Sequence, residues 1–436
     1  MTHTPQTRPF LGRRMLTIAV IAAVMTGPGQ TIGVSVFIDH LVGALDTSRS
    51  LVSSAYLIGT LTGAAAMPFV GRFIDRRGVR LSQTLVGVAF AVALVVMAGV
   101  NTLPWLVVGF AGIRMFGQGS LSMVSSVTVA LWFERRRGVA MGILATAAGA
   151  LMTLVPVVLN QVIEGFGWRI AWLVAAVAVA VVVVPLGWFG LVDRPSSVGQ
   201  RPDGDPFNPA TPADSGLAVG PQSAPGSAAG SYTRSEAART SQFWILAVIG
   251  VASGSLITGL NFHQIDLLGE AGLSSGEAAI MFLPQILGSS AAALGVGYVL
   301  DRVGTRFVPA FSMLLLVAVH VIAAGLSGQA TILLYAVVLG SVGGSVRAAL
   351  STMVPGYFGT GHIGSIQGLI TVANVAGSAV GPVVLAVTQS ATGSYRSANL
   401  ILAVIPVLAT VVCLFNRVLE PRVGPVPGTL EECVAT

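Results

Sequence analysis

The stretch Gly71-Arg72-Phe73-Ile74-Asp75-Arg76-Arg77-Gly78-Val79-Arg80 returns 226 residues later as Gly297-Tyr298-Val299-Leu300-Asp301-Arg302-Val303-Gly304-Thr305-Arg306. The pattern GxxxDRxGxR recurs without a gap. At the same offset Val155-Pro156-Val157-Val158-Leu159 aligns with Gly381-Pro382-Val383-Val384-Leu385. Self-similarity at one fixed offset marks a duplicated unit. The unit is long, and each copy of the motif falls between corresponding apolar runs.

Those runs set the fold class. A helix needs about 20 predominantly apolar residues to cross a bilayer. Such windows recur twelve times, at 15–41, 50–71, 82–100, 104–131, 139–161, 170–191, 243–266, 277–299, 307–326, 330–356, 364–388 and 397–418. Residues 193–241 break the series. They are rich in Pro, Gly, Ser and Ala, as in Pro221-Gln222-Ser223-Ala224-Pro225-Gly226-Ser227, and cannot bury enough surface to fold. The expected architecture is an all-α membrane protein with twelve transmembrane helices in two pseudo-symmetric six-helix bundles. The bundles span 1–192 and 242–420, a flexible linker spans 193–241, and a tail spans 421–436.

Composition agrees. Of 436 residues 54% are hydrophobic and 9% charged, whereas soluble domains carry about 25% charged residues. Glycine, at 53 residues, lets membrane helices approach closely. The net charge of +6 does not point to nucleic acid, because the arginines sit in short clusters between apolar runs. Cys413 and Cys433 suggest neither a disulfide framework nor a metal site. Arg8, Arg13 and Arg14 precede an apolar run too long for a signal peptide, and the run reads as a retained first helix. With both termini cytoplasmic, 18 arginines fall inside and three outside (Arg49, Arg169 and Arg396), as the positive-inside rule requires.

GxxxDRxGxR in the loop after the second helix resembles the hallmark of the major facilitator superfamily. The resemblance covers the chain apart from linker and tails. It implies two bundles rocking about a central site near the midplane, with helices one, four, seven and ten lining the cavity. In physical terms Asp75, at the end of the second helix beside Arg76 and Arg80, can accept charge-assisted hydrogen bonds from arginine or a neighbouring helix end. Asp301, Arg302 and Arg306 repeat the set. These six residues form a candidate gating latch. The competing reading is that they anchor the loops and enforce topology.

A narrower resemblance opens the fifth helix. Trp132-Phe133-Glu134-Arg135-Arg136-Arg137-Gly138-Val139-Ala140-Met141-Gly142-Ile143-Leu144-Ala145-Thr146-Ala147-Ala148-Gly149 is similar to the signature of monocarboxylate porters. Its counterpart Tyr357-Phe358-Gly359-Thr360-Gly361-His362-Ile363-Gly364-Ser365-Ile366-Gln367-Gly368 resembles the second half of that group, which includes oxalate–formate exchangers. The chain departs from the group in two places. Thr26-Gly27-Pro28-Gly29-Gln30-Thr31 lacks the usual first-helix acid, and 277–299 and 364–388 hold no basic residue.

A charge at the bilayer centre costs about 2.5–3.5 kcal/mol on the insertion scale and usually has a function. Arg114 and Arg347 lie deepest. Arg114, Gln118, Ser122 and Ser125 fall on one stripe of a regular helix, as do Gly340, Gly344, Arg347 and Ser351. A structural alternative for Arg114 is bonding to backbone or neighbouring helices. Acids are absent at that depth; Asp39 and Asp266 lie near outer ends. Two deep arginines without a deep acid favour an anionic substrate. The candidate substrate contacts are Arg347, Arg114, Gln118, Asn261, Ser351 and Ser35, the last being the repeat mate of Asn261. His263 titrates in the useful range, and Asp266 lies one turn away, so the two are candidates for proton coupling. Asn261 and His263 cannot both face the cavity in a regular helix. His320 is expected to be structural, and Asn160, Gln285 and Asn374 are further polar candidates.

The functional expectation is a secondary active transporter, in a cell membrane, that moves a monocarboxylate-like organic anion with protons. No GxxxxGK[ST] loop occurs and no covalent-catalysis constellation is visible, so no enzyme, cofactor or metal is expected. The expected partners are a small carboxylate, protons and the bilayer, with no nucleic acid, and the chain is expected to work as a monomer. Efflux of a drug-like or metabolic compound is the alternative within the class. A non-transporting membrane sensor is the alternative outside it, disfavoured because the linker lacks an effector domain.

Overall fold

The computed structural model describes residues 9–133, 136–204, 232–303, 307–358 and 363–415. Ten helices are long and apolar enough to span a membrane. In the first half they are α1 (Gly12–Ser35), α2 (Arg49–Ile74), α3 (Arg76–Ala98), α5 (Val139–Phe166) and α6 (Trp168–Gly190). In the second they are α7 (Ser241–Phe262), α8 (Ser275–Val296), α10 (Gln329–Leu350), α11 (Leu369–Thr392) and α12 (Tyr395–Leu414). Two more complete the repeat. α4 runs over 103–132 as Leu103–Gly112, a π-helical stretch Ile113–Leu121 and Ser122–Trp132. α9 is the apolar 17-residue helix Val308–Ala324. The twelve crossings match the sequence windows to within a turn or two.

Local chemistry sets the helix starts. Ser48 accepts from Leu51 N at α2 and Thr240 from Phe243 N at α7. Ser274 and Glu277 form a capping box at α8, and Ser394 accepts from Ser397 N at α12. Each cap satisfies an amide that the first turn leaves without a partner. The outer surface is apolar, with Phe189 76%, Phe166 73% and Val181 66% exposed, as lipid contact requires.

Within each half, helices are drawn together where glycine replaces a side chain. A Cβ on Gly340 would lie 2.0 Å from Gln285 O and one on Gly344 2.0 Å from Ser289 O, so α10 can sit against α8 only with glycine there. Gly254 and Gly381 do the same between α7 and α11. The first half uses Gly59 of α2 against α4.

The backbone of the first copy of the motif lies within the described residues. α2 and α3 run on through it with a break at Gly78, where φ is +79°. A Cβ there would strike Asp193 Oδ1 at 2.2 Å. Arg80 N donates to the same Asp193 oxygen at 2.9 Å, and its Nε donates to Trp188 O at 2.7 Å. Arg80 therefore ties this turn to the end of α6, within its own half. Arg76 is exposed. The side chains of Asp75, Asp301 and Arg302, and all of Arg306, lie outside the described residues.

The linker is less loose than its composition suggests. Residues 195–204 form two short turns. Gln200 Nε2 donates to Pro9 O and its Oε1 accepts from Leu11 N, which pins this segment to the start of α1. At the far end Tyr232 N donates to Phe358 O. Composition averages over 193–241 and misses such anchors; residues 205–231 lie outside the description.

Candidate functional site

α1 is interrupted at Gly27–Gly29, a 3-10 turn carrying Pro28. Proline removes a donor, so carbonyls near the break lack helical partners. Arg114 fills the gap. Its guanidinium donates to Gly29 O at 3.2 Å and to Thr60 Oγ1 at 3.1 Å, and lies 4.7 Å from the Tyr56 ring centroid. The side chain is 4% exposed. Arg114 thus binds α1, α2 and α4 to one another. Replacing it with glutamine is expected to cost about 1–3 kcal/mol for each partner left unmet. A lowered unfolding midpoint in detergent, read by thermal scan, checks this.

The cavity lies elsewhere. A space of about 710 Å³ is lined by α5 (Gly142, Thr146, Gly149, Thr153), α7 (Asn261), α8 (Gln285, Ser289) and α10 (Gly340, Arg347), among others. Arg347 is exposed into it. Its Nη2 donates to Ser289 Oγ at 2.6 Å, and no carboxylate meets it among the described residues. α8 and α10 are locked by Gly340 and Gly344, so this cation stands on a rigid helix pair.

The structure separates the residues that the sequence grouped together. Arg347 and Asn261 share the cavity. Arg114 and Gln118 do not line it, and the expected stripe on α4 fails for a physical reason. Ile113–Leu121 is π-helical, with Ser120 Oγ bonded to Met115 O five residues back, so α-helical spacing does not hold there. Ser35 is buried and bonded to Ile32 O. The side chain of Ser351 lies outside the described residues. α1 and α4, expected as cavity walls, are tied to each other at the break, and α5 and α8 take their place. Asn160 bonds Glu164 and Asn374 bonds Gly250 O. His320 meets Asn399 Oδ1 at 2.8 Å between α9 and α12.

A second polar cluster closes the end opposite the linker. Arg49, at the start of α2, pairs with Asp39 of its own half and, at 2.9 Å, with Asp266 of the other. Ser50 meets Ser390 at 3.3 Å, and the Tyr56 and Phe262 rings pack tilted at 60° across the same seam, 4.7 Å between centroids. His263 and Asp266 are one turn apart but not in contact. The hydroxyl of Tyr395, at the start of α12, lies 3.3 Å from His263 Nδ1. His263 Nε2 lies 2.9 Å from Pro382 O. The sequence reading treated Arg49 as one of three arginines against the bias and missed Tyr395. The signal was there: Arg49 is the nearest arginine in chain order to Asp39, the one acid in the first apolar window, 15–41.

Twelve crossings in two repeated halves, with a mostly apolar cavity that one arginine enters, define the major facilitator fold. The Major Facilitator Superfamily model matches residues 18–269 and 256–432, and the chain belongs to that family. It is similar to human monocarboxylate transporter 11, 25% identical over 77% of this chain and 68% of the relative. Human monocarboxylate transporter 14 is 29% identical over 31% of this chain, a match that spans only 26% of the relative. Among solved structures, a bacterial homolog of the human lysosomal transporter Spinster, inward-facing and occupied, superposes with TM-score 0.71. It is 14% identical, over 93% of this chain and 96% of that one. The nucleoside transporter NupG gives TM-score 0.70 at 13% identity, over 93% and 98%. These structural likenesses concern the fold.

Proposed function

We propose that the chain is a secondary active transporter of a small organic anion, coupled to protons, in the cytoplasmic membrane with both termini inside. One observation carries the anion: among the described residues Arg347 stands in the cavity with one hydroxyl partner and no carboxylate. A guanidinium has five N–H donors, and a substrate carboxylate is the natural acceptor for those left over. The names of the monocarboxylate relatives point the same way. With the arginine-rich linker end in the cytoplasm, the seam at Arg49 is the closed outer side and the conformation is inward-open. The motif arginines and Asp75 then act as a latch in the opposite state, when the linker end closes. Uptake of labelled monocarboxylates into proteoliposomes, with and without a pH gradient, tests the reading. Cations or neutral drugs as the preferred cargo would replace it with efflux.

Proton coupling is supported by the ionisable groups of the outer cluster. Pro382 O can only accept, so His263 Nε2 carries a proton, and Nδ1 accepts from the Tyr395 hydroxyl at 3.3 Å. Asp266 is held across the seam by Arg49. A proton on Asp266 removes the charge that holds Arg49, which opens the outer side. Asp39 and Glu270 are the other acids at this cluster. Asp266→Asn and His263→Gln are each expected to flatten the pH profile of transport. A wild-type profile in both variants removes the cluster from coupling. Asp75→Asn is expected to slow cycling while leaving binding affinity unchanged, checked by turnover and binding on one preparation.

A further inference from the structure

We infer that the cavity selects a monocarboxylate carrying an O–H or N–H donor about one helical turn from its carboxylate, and that Gln285 is the residue that reads this donor. The inference rests on the reading of Arg347 as the carboxylate-binding group.

Gln264 Nε2 donates to Ala278 O at 3.3 Å. A carbonyl can only accept, so the amide of Gln264 has one permitted orientation and its Oε1 is the acceptor. Gln285 meets that oxygen at 2.7 Å and must present Nε2 to it. The orientation of Gln285 is therefore fixed in turn. Its Oε1 is left over, on a residue that lines the cavity, with no protein donor among the described residues. Asn261, on α7, adds a second amide oxygen without a donor in the same wall.

Gln285 and Ser289 are four residues apart on one face of α8, a rise of about 6 Å. Ser289 holds the Arg347 guanidinium. The cavity thus offers a donor pole, Arg347 with Ser289, and an acceptor pole, Gln285, one turn away. Among the described residues no acid and no second cation line the space. A carboxylate at the first pole and a hydroxyl or amide N–H at the second satisfies both. A second carboxylate would face Gln285 Oε1, acceptor against acceptor, and a plain alkyl end would leave that oxygen dry and unmet. A neutral hydrogen bond of this kind changes affinity about three- to tenfold.

The test uses the full-length purified protein and three five-carbon ligands: valerate, its terminally hydroxylated form and the dicarboxylate glutarate. In the hydroxylated acid the hydroxyl oxygen reaches about 6 Å from the carboxylate carbon when extended. Calorimetric affinities are expected to rank hydroxyvalerate first, valerate about three- to tenfold weaker, and glutarate last. Gln285→Met is expected to bring the two monoacids level while Arg347→Gln weakens both. The wild-type ranking stands by itself if Gln285→Met proves unstable. Equal binding of the two monoacids, or glutarate binding as well as either, overturns the selection while leaving the anion reading intact. Loss of all carboxylate binding, or no effect of Arg347→Gln, overturns the anion reading and this inference with it.

Discussion

Arg347→Gln is expected to lower affinity for an anionic substrate roughly ten- to a hundredfold, the equivalent of about 1.5–3 kcal/mol for one charge-assisted contact. Among the described residues Arg347 makes one side-chain bond, to Ser289, so its removal leaves a single serine hydroxyl to find another partner. No helix junction depends on it. Folding and membrane insertion are therefore expected to survive, in contrast to Arg114→Gln, where a backbone carbonyl and a threonine lose their donor together. Arg347→Lys should recover little, because an ammonium offers a point charge where a planar fork can grip both carboxylate oxygens. Ligand titration of wild type and variants, with size-exclusion profiles as the folding control, gives the answer. Unchanged affinity in Arg347→Gln would remove the anion assignment.

The contrast between the two deep arginines shows where sequence reading reaches its limit. Both lie in apolar helices, and neither has an acid nearby in the chain. Twelve crossings, the repeat and the family were legible because apolar length and motif spacing are local and periodic. The difference between Arg114 and Arg347 is not local. It depends on Pro28, some 85 residues away, which breaks α1 and leaves a carbonyl for Arg114 to hold. It depends also on the π-helical turn in α4, which cancels the α-helical face on which the polar stripe was drawn. Arg347 lines the cavity because α10 is regular around it. The pairing of His263 with Asp266 by spacing alone missed Tyr395, since a residue 132 positions away in chain order from His263 leaves no periodic trace. The choice of α5 and α8 as cavity walls was equally hidden. Gly142 and Gly149 have nothing within 4 Å, while glycines of identical appearance in α10 are jammed against backbone.

The second large effect is expected at Arg49. One of its terminal nitrogens serves two carboxylates, Asp39 from its own half and Asp266 from the other, with the arginine side chain 18% exposed. Arg49→Gln does more than delete an ion pair. It leaves two acids facing each other across the seam with nothing between them, so attraction between the halves becomes repulsion. Asp266→Asn is milder, because Arg49 keeps Asp39. Asp39→Asn is mildest, because the bridge between halves remains. A partly buried pair of this sort is worth about 1–3 kcal/mol once solvent screening is allowed for, and each 1.4 kcal/mol moves a two-state balance tenfold. Arg49→Gln is therefore expected to shift the balance about ten- to a hundredfold toward the state open at the Arg49 end, and to slow turnover with little change in substrate affinity. Spin labels at Ser50 and Ser390, which meet in the closed state, would report the shift as a longer distance. The exchange Arg49→Asp with Asp266→Arg restores an opposite pair across the seam and, with Asp39 still acidic, should recover the short distance. An unchanged distance in Arg49→Gln, with normal turnover, would show that the seam is held by Tyr56, Phe262 and the helix packing alone.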